Sequence, residues 1–158
     1  MSFIKLKYGN IKGDSSESTH EGWINISTFS FGSSRSISQN HNSMRQVGVP
    51  NISEIKISKP ICSATCQLMQ ETWSGSGQEI EFNFLQETPN GLNVIGVYKL
   101  SEARISSHSF QANSLGEIGE SYSISFTKID IAYAKFDVTG KPVSNMCVGF
   151  NLQEMRYM

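Results

Sequence analysis

The side chains best suited to chemistry in this chain are three cysteines, Cys62, Cys66 and Cys147, and three histidines, His20, His41 and His108. Cys62 and Cys66 stand four apart, which puts two thiols on one side of a helix. A zinc centre needs about four ligands, and no second Cys or His pair at a matching interval accompanies them. Both read as small apolar residues of a helix core, and Cys147, between Met146 and Val148, reads as strand core. His20 precedes a strand pattern, His41 lies in a polar stretch and His108 follows a strand end. None sits in a nucleophile elbow or another hydrolase signature. Glu79, Glu81 and Glu87 alternate along or just past a strand and read as a solvated edge, not as a paired acid and base. Ser74-Gly75-Ser76-Gly77 lacks the Lys-Ser/Thr of a phosphate loop and follows a helix pattern instead of preceding one. These residues predict no catalytic group, no metal and no cofactor.

The elements that carry them are mostly strands. The chain has 25 serines among 158 residues, and many alternate with large apolar residues, as in Phe29-Ser30-Phe31 and Tyr122-Ser123-Ile124-Ser125-Phe126. Period-two alternation predicts strands with one buried and one wet face. It recurs over Phe3–Tyr8, Trp23–Gly32, Ile52–Ile57, Glu79–Leu85, Asn93–Ser107, Ser121–Val138 and Met146–Tyr157, separated by turn residues such as Pro89-Asn90-Gly91 and Gly140-Lys141-Pro142. Apolar parity flips between Ile26 and Phe29, between Phe126 and Ile129, and between Leu152 and Met155. Each flip reads as a bulge or bend that lets a long strand turn the corner of a sheet, or as a break between two short strands. The aromatics Phe29, Phe31, Phe82, Phe84, Phe126 and Phe150 have inward parity and read as core.

One segment departs from the pattern. Ser58 or Lys59 can cap a helix that Pro60 opens. Ile61, Ala64 and Leu68, with Cys62, Cys66, Met69 and Trp73 beside them, predict a broad apolar face up to Trp73. Gln39 to Gly48 shows no periodicity and reads as a polar loop between strands, a length usually functional or disordered.

Bulk properties narrow the partners. Thirteen Lys and Arg balance fourteen Asp and Glu for a net charge of −1, which excludes a nucleic-acid binder driven by charge. No apolar run approaches the roughly 20 residues of a membrane span. Lys5 and Lys7 interrupt the N-terminal segment, so no secretory signal is expected, and three cysteines predict a reducing compartment without a disulfide framework. The length suits a single domain over residues 1–158. The expected class is antiparallel β, as a barrel or tight sandwich, and a wet-faced β domain without catalytic residues suits assembly or binding.

The order of motifs resembles the Hcp family, the haemolysin-coregulated tube proteins of type VI secretion in Gram-negative bacteria. The resemblance starts with Ile11-Lys12-Gly13-Asp14-Ser15, Thr19-His20-Glu21, Trp23-Ile24-Asn25-Ile26 and Phe29-Ser30-Phe31-Gly32. It continues through Val97-Tyr98-Lys99-Leu100, Glu120-Ser121-Tyr122-Ser123-Ile124-Ser125-Phe126 and Val148-Gly149-Phe150-Asn151-Leu152. The long loop departs from the family by having Asn, Gln and Ser where many relatives are glycine-rich. The resemblance implies a mainly β fold, an antiparallel β-barrel of two packed sheets with one α-helix at the side. It implies a homohexameric ring, rings stacked into a hollow exported tube, and effectors held in the lumen. Sheath, spike and effector proteins are the implied partners, with no nucleic acid and no membrane insertion. The subunit would be cytoplasmic before assembly and then secreted through the type VI apparatus. The loop Gln39, Asn40, His41, Asn42, Ser43, Met44, Arg45 and Gln46 would make ring or stacking contacts. Phe29 and Phe31 point inward, so Ser30 points away from them, and the resemblance puts its strand on the luminal wall. The competing readings are a monomeric β-sandwich binding module for a sugar or peptide, and an enzyme.

Overall fold

The structure is a computed structural model that describes residues 3–39, 45–89, 91–154 and 156–157. Its strands are β1 (Ile4–Tyr8), β2 (Ile24–Ile26), β3 (Thr28–Ser30), β4 (Ser33–Gln39), β5 (Arg45–Ile52) and β6 (Ile55–Lys59), followed by helix α1 (Thr65–Ser74). After the helix come β7 (Gln78–Thr88), β8 (Gly91–Ala112), β9 (Ile118–Ser125), β10 (Lys128–Phe136), β11 (Pro142–Asn151) and β12 (Arg156–Tyr157). All pairings are antiparallel. One sheet runs β12-β11-β10-β8-β7-β1-β2, and a second runs β3-β6-β9-β8.

The two sheets are joined because three strand paths cross from one to the other. At Ser27 the chain leaves β2 for β3, and at Phe126–Thr127 it leaves β9 for β10, as two of the parity flips predict. The third crossing lies inside β8 and is absent from the sequence reading. Burial shifts parity between Leu100 and Ala103, and Glu102 between them has φ 51°, a left-handed value rare for a side-chain-bearing residue. The parity change at Leu152–Met155 is not a bulge. Leu152 to Glu154 form a turn, and β12 folds back on β11 with Tyr157 opposite Phe150.

The core lies between the sheets. Leu6, Ile24, Ile26, Phe82, Leu100 and Ile129 meet Ile55, Ile57, Ile105, Tyr122 and Ile124, all nearly inaccessible to water. Burying each such side chain contributes about 1.5–3 kcal/mol. The ladders do not close the expected barrel: β2 pairs with β1 and β3 with β6, while the Ser27 N–H to Ser58 carbonyl bond (2.8 Å) bridges the seam.

The helix starts later than the sequence predicts. Lys59 is the last rung of β6 against Glu120, and Pro60, having no N–H, ends the ladder there. Ser63 is held by Asp14, and the Thr65 hydroxyl accepts the Cys62 N–H (3.0 Å), so residues 60–64 turn before the helix begins. Only Ala64 and Leu68 are fully buried; Ile61 and Trp73 are exposed, so the broad apolar face is not covered. At the other end a Cβ on Gly75 would overlap the Glu71 carbonyl oxygen, which explains glycine at that stop.

The segment read as a long polar loop is shorter. Strand β4 runs to Gln39 and β5 begins at Arg45, with those two residues opposite each other. Asn40, His41, Asn42, Ser43 and Met44 lie outside the described residues. Strands β4 and β5 form a separate two-stranded sheet. Glu79 and Glu81 stand on β7, which pairs on both sides, so they are not on an edge.

Candidate assembly surfaces

Four strands of the smaller sheet present one continuous polar face. Register places Thr28, Ser58, Ser121 and Ser109 in one row across the sheet and Ser30, Lys56, Ser123 and Ser107 in the next. Side chains directly opposite in a ladder share a face, so six serines, one threonine and one lysine line it together. Thr28 and Ser58 hydrogen-bond hydroxyl to hydroxyl. The reverse face carries Phe29, Ile57 and Tyr122, which enter the core. Ser30 is exposed, as its parity predicts, and Phe29 packs edge-on against Phe82 and Phe84 at 5.0 and 4.9 Å. The sequence reading identifies Ser30 and misses its seven neighbours. Their signal was the same alternation in Ser107/Ser109 and Ser121/Ser123, but register between strands is not local information.

Apolar surface is also exposed. Phe29, Phe31 and Phe84 are only half-buried, so the core opens along one side. There a groove of about 450 Å³ runs between the base of the β4–β5 ribbon and the β10–β11 hairpin, lined by Phe31, Ile52, Ile131 and Val148. Tyr133, whose ring packs edge-on against Tyr98 at 5.9 Å, and Met146 continue this side at 42% and 54% exposure.

The groups tested for chemistry fall apart. Cys66 and Cys147 are exposed and Cys62 is half-buried, so Cys66 and Cys147 are not core residues as expected. Among the described residues no three His, Cys, Asp or Glu side chains gather as a metal would require. His20 is buried and resembles part of a triad, with Nδ1 2.6 Å from Glu17 Oε2. Its Nε2, however, faces the Asn83 amide nitrogen at 2.8 Å, where a nucleophile would stand. With Nδ1–H donating to Glu17, Nε2 accepts from Asn83, and the ring is fixed as a brace of the 15–23 loop.

This brace has a pH signature. The Thr19 hydroxyl, donating to Glu17 at 2.6 Å, leads a set of donors with His20 that holds the Glu17 carboxyl at about 2 against an ordinary 4.5. A depressed carboxyl stabilises the fold above its unfolded value and loses that contribution as pH falls toward the folded one. Between pH 4.5 and 2, Glu17→Gln is expected to flatten the decline in stability by about 1–2 kcal/mol, less than the whole shift because the group lies near solvent. Thermal melts across that window check it; identical acid slopes for both proteins would remove the assignment.

A buried ionic group escaped the sequence reading. Lys59 and Glu120, both fully buried, pair at 2.7 Å, and the Thr65 hydroxyl adds a bond to the same carboxylate oxygen at 3.1 Å. Lys59 also donates to the Pro60 carbonyl at 3.0 Å. The group joins β6, β9 and the start of α1 beneath the helix.

Against known proteins, residues 3–133 match the family model described as "Type VI secretion system effector, Hcp". No curated protein matches the chain in sequence. A solved structure described as a type six secretion system protein is similar over 98% of both chains, with 17% identity and a TM-score of 0.91. Hcp1 from Salmonella typhimurium is 15% identical over 98% of this chain and 97% of its own, with a TM-score of 0.78. Hcp1 from E. coli EAEC 042 is 15% identical over 96% and 99%, with a TM-score of 0.77. At these identities the structural likeness bears on the fold alone. Among the described residues no helix is long and apolar enough to cross a membrane.

Proposed function

The chain belongs to the Hcp family and is a subunit of the type VI secretion tube, and from that premise we propose that it acts as a homohexameric ring that stacks on further rings. The observation that carries the reading is the β4–β5 ribbon. It pairs with no other strand of its own chain among the described residues, and residues 33–37 are exposed throughout. An isolated two-stranded ribbon is marginal in water. Contact with neighbouring subunits supplies the missing cover. The sequence between β4 and β5, Gln39–Gln46, carries amides and a cation that would suit contacts with an adjacent ring.

In this arrangement the hydroxyl face bearing Ser30 lines the channel, and effectors pass along it or bind it weakly. Sheath and spike proteins are the outer partners. The whole chain acts as one domain, performs no catalysis, and waits in the cytoplasm until it is assembled and exported.

Replacing Gln39–Gln46 by a short Gly-Ser turn tests the ribbon. The melting temperature should hold, while light scattering after sizing shows assemblies lost and export falls. Normal rings and normal export from the shortened protein would remove the ribbon from the interface. A native protein that remains a single subunit at high concentration would overturn the ring.

A further inference from the structure

One end of the molecule carries a preformed apolar knob. The turn joining β8 to β9 is closed by Asn113: its Oδ1 accepts the N–H groups of Leu115 (2.9 Å) and Glu117 (3.1 Å), and its Nδ2 donates to Glu117 Oε2 (2.9 Å). Gly116 completes the turn at φ 87°. The backbone at the apex is thus fixed by its own bonds, yet Leu115 projects with 86% of its surface in water. Phe110 and Ile118, each 52% exposed, lie behind it on the side continuous with the core face. A rigid turn that exposes a leucine has the form of an interface anchor, since little ordering is left for binding to accomplish.

The groove between the ribbon base and β10–β11 is its counterpart. Phe31, Ile52, Ile131 and Val148 make it apolar, and the one charged side chain among its lining residues is Arg35. The one charged residue between Phe110 and Gly119 is Glu117. The two surfaces are therefore both apolar and carry opposite charges.

We propose that the Leu115 turn of one copy seats in the Phe31–Ile131–Val148 groove of the next, with Glu117 facing Arg35. The contact joins two different patches, so it is heterologous and repeats head to tail from subunit to subunit. It rests on the self-assembly reading above and adds to it a specific pair of surfaces, distinct from the Gln39–Gln46 segment.

Leu115→Asp, Arg35→Glu, Glu117→Lys and the double swap Arg35→Glu with Glu117→Lys test it. All positions are on the surface, and a melting curve confirms that each variant folds. Sedimentation of the full chain over a concentration series is expected to show about tenfold or more weakening of association for Leu115→Asp. Each single charge reversal should weaken it severalfold, and the double swap should associate more tightly than either single reversal, although Glu117→Lys also removes the Asn113 side-chain bond. If the native chain assembles and Leu115→Asp and Arg35→Glu assemble equally well, this contact is refuted while self-assembly stands. If single and double charge variants are weakened alike, the Glu117–Arg35 pairing is refuted. If the native chain never associates, this contact and the ring fail together.

Discussion

Lys59→Ala is expected to destabilise the subunit by about 3–5 kcal/mol, because it leaves the fully buried Glu120 carboxylate without its ammonium partner. The partners are fully buried at 2.7 Å, and Thr65 is the other donor to the same carboxylate oxygen. Glu120→Ala should do comparable damage by leaving an ammonium unpaired. The informative variant removes both charges. Lys59→Met with Glu120→Leu is expected to fall within about 1 kcal/mol of the native protein or to exceed it, since desolvation of both ions is avoided. Urea titrations give all four values. Single variants that lose less than about 1 kcal/mol would mean that the pair is hydrated in solution. The helix would respond as well, because Thr65 opens it and Lys59 holds the Pro60 carbonyl just before it.

Phe82→Ala is expected to cost about 3–5 kcal/mol through lost burial and the cavity left behind. Phe82 is fully inaccessible on β7, opposite Leu6 and Tyr98 in its own sheet, and its ring meets Phe29 of the other sheet edge-on. It is therefore a tie between the sheet that carries the core and the strand that carries Ser30. Phe82→Leu, which keeps most of the volume, should lose less than about 2 kcal/mol. Denaturant unfolding measures both. Equal losses for the two substitutions would show that the aromatic contact with Phe29, and not the filled space, was what mattered.

Much of this was legible in the sequence where the signal was local. Alternation located most strands, the flips near Ser27 and Phe126 marked real crossings between sheets, and the opposite directions of Phe29 and Ser30 follow from period two alone. The bend at Glu102 went unread because a glutamate gives no turn signal, and its left-handed φ is imposed by the surrounding ladders. The helix start went unread for a related reason. Lys59 looks like a cap residue until its partner is known, and that partner lies 61 positions away. The start of β5 was read as loop because Arg45, Gln46 and Gly48 interrupt any apolar alternation there. Of the hydroxyl face only Ser30 was legible, and its eight positions became a surface only once the register between four strands was fixed.

That face has a mechanical consequence. A serine hydroxyl rotates freely and can donate or accept, so whatever slides along the face finds an equivalent bond at each small displacement. A single net hydrogen bond contributes only about 0.5–1.5 kcal/mol, and water competes for every one. With one lysine among eight side chains and no aromatic ring, the surface has few deep wells in which a passing chain could lodge. A channel lined by it, as proposed above, would be low in friction: wet enough to lubricate, and too uniform to grip.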